Sequence, residues 1–285
     1  MQILPPEITV ITAIHNGLSI NKLFYEYVKK HTHYPLQLII IDNLSTDGSR
    51  EFFQQQGVTV IANPANYSYP VCQNIGIDAA KGDYLFFLNN DILVGPQWDK
   101  RLIDTAQKHS LDILSASRLE NMGNAKRTKS LARRWKKIKY PLSIFGFNDT
   151  TLSLMVKLMY GNWEQFSETI FKDNADKVVE GIVGDNVMMT RKAIQSIGRW
   201  DERLQSADFD LFMRSKQRSI QVKDIKSCHI ALGVYIHHFG RMTIKYGKHV
   251  PIPFADKDNL IGLSDKWTQE ELESFHPNNA TLRLK

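Results

Sequence analysis

The sequence predicts an α/β protein, a Rossmann-like and mostly parallel sheet flanked by helices. Three observations carry that expectation. Residues 8–14, 38–41 and 84–88 are short, nearly continuous apolar runs, the pattern of strands buried on both faces. Stretches with apolar residues at helical spacing separate them, which points to strand–helix–strand units with right-handed crossovers. Each run also stops on polar residues, at the place where an open α/β sheet collects its ligands.

Taken in order, residues 8–14 (Ile-Thr-Val-Ile-Thr-Ala-Ile) are β-branched and read as a central strand. After His15-Asn16-Gly17, Ile20, Leu23, Phe24, Tyr27 and Val28 recur at helical spacing, with Ser19 as a suitable cap. Residues 38–41 form a second strand ending on Asp42 and Asn43. Ser45-Thr46-Asp47-Gly48-Ser49 opens a helix through Phe52 and Phe53. Residues 58–61 are a third strand, residues 72–80 a short helix, and residues 84–88 a strand that stops at Asn89-Asn90-Asp91. Further on, Leu152, Met155, Val156 and Met159 mark one helix, and Trp163, Phe166, Ile170 and Phe171 another. Thr268-Gln269-Glu270-Glu271 is a capping box for a last helix. Trp267 before it reads as a packing anchor, and Phe275 onward as a frayed end.

At 285 residues, 42% hydrophobic and 23% charged, the chain is expected to form one large domain with an elaboration. No run approaches ~18 apolar residues, so no transmembrane helix is expected. The start, Met-Gln-Ile-Leu-Pro-Pro-Glu, has no basic region followed by an apolar core, so no signal peptide is expected. Cys72 and Cys228 give neither a disulfide framework nor zinc spacing and read as buried thiols of a cytoplasmic protein. The net charge of +6 is concentrated: residues 126–139 hold eight Lys or Arg and no acid, which leaves the remainder slightly acidic.

The polar strand ends carry the chemistry. Asn89-Asn90-Asp91 offers oxygen ligands to a divalent cation, although an Asx-rich turn would use the same residues. The Gly-x-Gly-x-x-Gly fingerprint does not follow the first strand, and no Walker-type glycine loop occurs. A nucleotidyltransferase would carry a glycine-rich basic loop where this chain has Ala13-Ile14-His15-Asn16-Gly17. What remains is a series of acids and amides at successive strand ends. Such side chains take up a base and ribose, while a hard cation bound by oxygens holds a diphosphate.

These motifs, in this order, resemble those of family 2 glycosyltransferases of the GT-A fold. The likeness covers residues 8–100 and resumes at Gly184-Asp-Asn-Val-Met-Met-Thr-Arg, Gly198-Arg-Trp-Asp-Glu-Arg, Asp208-Phe-Asp-Leu and His237-His-Phe-Gly-Arg-Met-Thr. The resemblance implies a nucleotide-sugar donor held by Ala13, His15 and Asp42, with Asn16, Asn43, Asn66, Asn74, Asn89 and Asn90 along the same site. Ala13 and His15 stand where proline and tyrosine are usual, so contacts there pass through backbone or imidazole. The family's Asp-x-Asp becomes Asn89-Asn90-Asp91, leaving Asp91 as the charged ligand of Mn2+ or Mg2+. The spacing to Gly240 and Thr243 favours His238 as the second ligand, with His237 as the competitor. Arg241 is a candidate for the diphosphate; a solvated surface arginine is the plain alternative. Asp208 is the implied catalytic base, although the Glu that usually precedes it is Ala207. An acid favoured by the helix dipole is its plainer reading. Trp200, Asp201 and Asp210 fall on the implied acceptor side. The implied reaction is a single displacement with inversion.

On this reading residues 1–117 are the nucleotide-sugar half, 118–182 a basic and helical insertion on the acceptor side, 183–250 the acceptor and catalytic half, and 251–285 an extension. The acceptor class is a glycan, a lipid-linked saccharide or another polymer. The basic run, broken at Tyr140-Pro141, reads as a solvated loop. Eight uncompensated cations also suit an anionic surface: membrane lipid at the inner face, a charged glycan or nucleic acid. The competing readings are a glycosyltransferase acting on nucleic acid through residues 126–139, and a degenerate, non-catalytic member that binds glycan or nucleic acid through that run, to which Asn89 and Ala207 lend weight.

Overall fold

The computed structural model describes residues 6–120, 122–240 and 252–276. The expected tail beyond His276 lies outside them. The first half alternates as the periodicity requires: β1 (Ile8–Ile14), α1 (Leu18–His31), β2 (Leu36–Asp42), α2 (Ser49–Gln55), β3 (Thr59–Ala62), α3 (Tyr69–Ala79), β4 (Tyr84–Leu88), β5 (Ile92–Leu93), α4 (Trp98–His109) and β6 (Ile113–Ser117). Then come α5 (Ala125–Leu142), α6 (Asp149–Tyr160), α7 (Trp163–Asn174), β7 (Val178–Glu180), β8 (Asn186–Thr190), α8 (Arg191–Ile197), α9 (Ala207–Gln221), β9 (His229–Tyr235) and β10 (His237–His238). Two short helices close the described chain, α10 (Leu263–Lys266) and α11 (Gln269–Phe275).

Eight strands form one sheet in the order β3-β2-β1-β4-β8-β6-β9-β7. The pairings β1–β2, β1–β4, β2–β3 and β6–β9 are parallel, while β8 and β7 run against their neighbours. Continuous apolar runs follow from burial on both faces: Leu38 and Ile40 join one core with α1 and α4, and Ile39 and Ile41 another with α3, α8 and α9.

Three local expectations change. Ser19 does not cap α1; Gly17 stands at that position, and the Leu18 N–H donates instead to Asp47 Oδ2 at 2.8 Å from the loop after β2. The edge strand β7 lies within the segment expected to be a helical insertion. The basic run is helical rather than a loop, and Pro141 sits in its last turn. Lys and Arg are good helix formers, the Asn124 side chain caps the start, and Leu131, Trp135, Ile138 and Leu142 give an apolar stripe to bury.

Candidate active site

The parallel strands β1, β2, β4 and β6 all end on one rim of the sheet. Because β8 is antiparallel, its start lies on that rim too: Leu88 pairs with Asn186, and the Asn89 N–H donates to the Asp185 carbonyl at 2.9 Å. A second, two-stranded sheet completes the rim. β10 pairs with β5, His238 opposite Ile92, and the Phe239 N–H donates to the Asp91 carbonyl. That pairing sets His238 between two carboxylates. Its Nε2 lies 3.0 Å from Asp91 Oδ1 and its Nδ1 3.0 Å from Asp185 Oδ2. Arg118, directly after β6, donates to Asp185 as well. Burial alone would lower the His238 pKa, but the charge of Asp91 and the bonds to both acids outweigh it and hold it at about 10. Burial pushes Asp185 upward; the His238 hydrogen bond and the charges of His238 and Arg118 reverse that and hold it well below the usual carboxylate range.

Asp208 is the second residue of α9 and packs against Gly184. A Cβ on Gly184 would lie 2.2 Å from Asp208 Oδ2, so a side chain there displaces the carboxylate. Burial raises the Asp208 pKa and the charge of Asp185 adds to this, while backbone N–H groups at the helix start and Arg118 pull the other way. Beside it Tyr69 is buried, its pKa pushed far up by burial and by the Asp208 and Asp185 charges. Its ring meets Trp200 edge-on at 5.5 Å. The Tyr69 hydroxyl and Trp200 Nε1 are both buried with no hydrogen-bond partner among the described residues. Two orphan donors beside a carboxylate of raised pKa are a pattern of functional sites more than of cores.

Several expected residues have hydrogen-bond partners within the protein. Asp42 is fully buried and held by Arg50, Nε to Oδ2 at 2.7 Å, because an unpaired buried charge is costly. Asn16, in the left-handed region at φ 58°, accepts from the Thr46 N–H. Asn43 bonds Tyr67 and Asn63, Asn66 bonds the Ile252 carbonyl, and Asn90 bonds Asn21. Asn74 bonds the Trp200 carbonyl and Glu202. Ala13, His15 and Asn89 stay partly exposed at the rim, with His15 Nδ1 on the Asn43 carbonyl. His237 points away from Asp91, fully buried against Trp135 and hydrogen-bonded to the Tyr160 hydroxyl at 2.7 Å. Asp210, expected on the acceptor side, is instead buried on Arg214, Lys266 and Trp267 Nε1. Asp201 bonds Arg203 and Lys266. Arg241 lies outside the described residues. The sequence reading missed Asp185, Arg118 and Tyr69 as site residues. For Asp185 the signal was its place directly before an apolar strand.

Residues 9–198 match the sequence model of the family described as Glycosyl transferase family 2. This chain belongs to that family. Over 112 residues it is 26% identical to glycosyltransferase GlyG of Streptococcus pneumoniae, covering 38% of this chain and 37% of that protein. Over 234 residues it is 21% identical to the O-antigen biosynthesis protein RfbC of Myxococcus xanthus, covering 76% of this chain and 16% of that one. The chain therefore spans well under half the length of these relatives. Among solved structures it resembles a mannosyltransferase from Pyrobaculum calidifontis in complex with GDP-Man and Mn2+, at 12% identity and a TM-score of 0.53 over 86% of this chain and 61% of that one. The shared fold is the GT-A type.

Among the described residues of this family 2 chain, no group of three or more His, Cys, Asp or Glu side chains converges on one point. Two ligands do. Asp91 Oδ1 and His238 Nε2 stand 3.0 Å apart as a hydrogen-bonded ion pair, and a cation bound there would take the place of the proton they share. The other ring nitrogen of His238 meets Asp185, the usual support of a metal-ligating imidazole. The pair fits a divalent cation that takes its remaining ligands from a diphosphate and water.

Proposed function

We propose that this chain is an inverting glycosyltransferase moving a sugar from a UDP- or dTDP-sugar to a hydroxyl of a glycan, lipid-linked or other polymeric acceptor. One observation carries the reading: the Asp91–His238–Asp185 relay and Asp208, against Gly184, share one end of a GT-A sheet. Family membership and the neighbour's GDP-Man and Mn2+ support a nucleotide-sugar donor and a divalent cation, without favouring one base.

Asp91 and His238 would hold Mn2+ or Mg2+, which when bound supplies Lewis-acid neutralisation of the diphosphate. Asp185 keeps the His238 ring in place. Asp208 accepts the proton of the acceptor hydroxyl while that oxygen attacks the anomeric carbon from the face opposite the diphosphate. A carbon–oxygen bond to the acceptor forms, the bond to the diphosphate breaks, and the nucleoside diphosphate leaves with the electron pair. The raised pKa makes Asp208 a stronger base than a solvated carboxylate. A non-catalytic binding member has less in its favour, because an idle site has no need for a buried carboxylate beside the orphan Tyr69 hydroxyl.

The test is a panel of sugar nucleotides scored for turnover and thermal stabilisation, with and without manganese. A UDP- or dTDP-sugar should raise the midpoint only with the cation and be turned over by the native chain. Stabilisation without turnover under any acceptor would overturn the enzymatic reading.

A further inference from the structure

We propose that α5, the turn after it and the outer face of α6 form a docking surface for an anionic phospholipid bilayer. The consequence for acceptors, delivery of a lipid-linked saccharide at the membrane plane, rests on the transferase reading; the docking itself does not.

The first observation is a stripe. At roughly 100° per residue, Lys126, Lys129, Arg133, Lys136, Lys137 and Tyr140 fall within an arc of roughly 100° on α5. The five cations of the stripe are exposed, and among the described residues none of them forms a salt bridge. The opposite side carries Leu131, Trp135, Ile138 and Leu142 into the core, so the stripe faces outward by construction.

The second observation is apolar and independent of the charge. The stripe runs into Ile144 and Phe145, which are 83% and 72% exposed. On α6, Leu154 and Leu158 stand one turn apart and exposed, and Arg134 of α5 donates to the Leu158 carbonyl at 2.6 Å, which ties α6 to α5 beside the stripe. With Tyr140, these make five of the eight large apolar side chains that are exposed among the described residues. Exposed apolar groups gathered in one place mark an interaction site. Cations bordering an apolar tip match the two layers of a bilayer surface, anionic headgroups and the acyl boundary beneath. A nucleic acid would reward the cations and leave Ile144 and Phe145 without a partner.

The surface is wired to the candidate site. Lys139 on the inner side of α5 donates to the carbonyls of Phe239 and Gly240, and Trp135 packs edge-on against His237 at 4.5 Å. These residues flank His238. A bilayer on the outer face would therefore lie one helix away from the rim.

The test uses the full chain with vesicles of phosphatidylcholine alone, or mixed with phosphatidylglycerol, in flotation at low and high salt. Binding to the mixed vesicles only, falling steeply with salt, is expected. The combined variant K129S/R133S/K136S/K137S should lose roughly a hundredfold or more in vesicle affinity, at about fivefold per surface cation. All four positions are exposed, so circular dichroism should show an unchanged fold. In a Phe145→Trp variant, excited at the red edge and compared with the native chain, emission should shift to the blue on mixed vesicles and be quenched by brominated lipid. Equal binding to both vesicle types would overturn the proposal. So would an unshifted Phe145→Trp emission, or binding to a DNA duplex with none to vesicles. None of these outcomes touches the sugar-nucleotide assay.

Discussion

Asp208 carries a cost as well as a proposed role. Its raised pKa means that folding penalises the charged form, so the stability it contributes when protonated is lost as pH rises through its folded value. At neutral pH the Asp208→Asn variant should therefore melt higher than the native chain, while transfer falls by roughly 10²–10⁴-fold and donor binding survives. Calorimetry and transfer assays on the same sample check this; a lower melting point with near-normal transfer would make Asp208 a structural acid. Native transfer should fall on acidification at a higher pH than a solvated aspartate would give. Asp210 gives the opposite signature. Asp210→Ala leaves Arg214 and Lys266 without their buried partner, and urea unfolding should show a loss of roughly 3–5 kcal/mol. Its remaining folded fraction should bind donor normally.

At the scale of elements, β8 sets the site by its direction. Inserted against β4 and β6, it brings Gly184 and Asp185 to the rim where parallel strands end. Gly184→Ala is the variant that reads this placement. The new methyl would stand 2.2 Å from Asp208 Oδ2 and 2.8 Å from its Cβ, so the whole acid must swing aside. Transfer should fall about as far as in Asp208→Asn, with thermal stability and manganese-dependent donor binding little changed. Donor affinity lost in step with transfer would instead show that the loop serves the nucleotide.

The whole molecule limits what the cation can hold. Among the described residues no group of three or more His, Cys, Asp or Glu side chains could hold a cation, so manganese on Asp91 and His238 alone should bind weakly, and a nucleoside diphosphate should tighten it by supplying the missing oxygens. Titration calorimetry with and without the nucleotide measures this. Tight nucleotide-free binding that Asp91→Ala leaves intact would remove the pair from the site. The closing segment also acts at this scale: Asp256 takes the Ser68 N–H at 2.9 Å, Ile261 donates to the Arg203 carbonyl, and Trp267 reaches Asp210. Residues distant in sequence thus brace the loops after β3 and before α9. Cys72 and Cys228 are closed in by the same packing, and burial pushes both thiols up to about 12. A thiol reagent should label neither until the chain unfolds.

Sequence by itself determined β1, β2 and β4, because a strand buried on both faces is apolar at nearly every position and that pattern is local. It also placed the polar rim, Asp91, and Asp208 at a helix start, since each sits beside an element whose type its neighbours dictate. The motif spacing favoured His238 over His237, and tertiary structure supplied the physical reason for it. Adjacent strand residues point to opposite faces, and only the β5–β10 register says which face meets Asp91. The amides divided in the same way. An Asn that binds a ligand and an Asn that ties two loops together are the same residue with the same hydrogen-bonding groups, and only tertiary structure shows the protein partners of Asn43, Asn66, Asn74 and Asn90. Asp185 and Arg118 joined the site through an antiparallel strand that enters the sheet out of sequence order, a pairing that no local pattern encodes because its energy lies in contacts between distant segments.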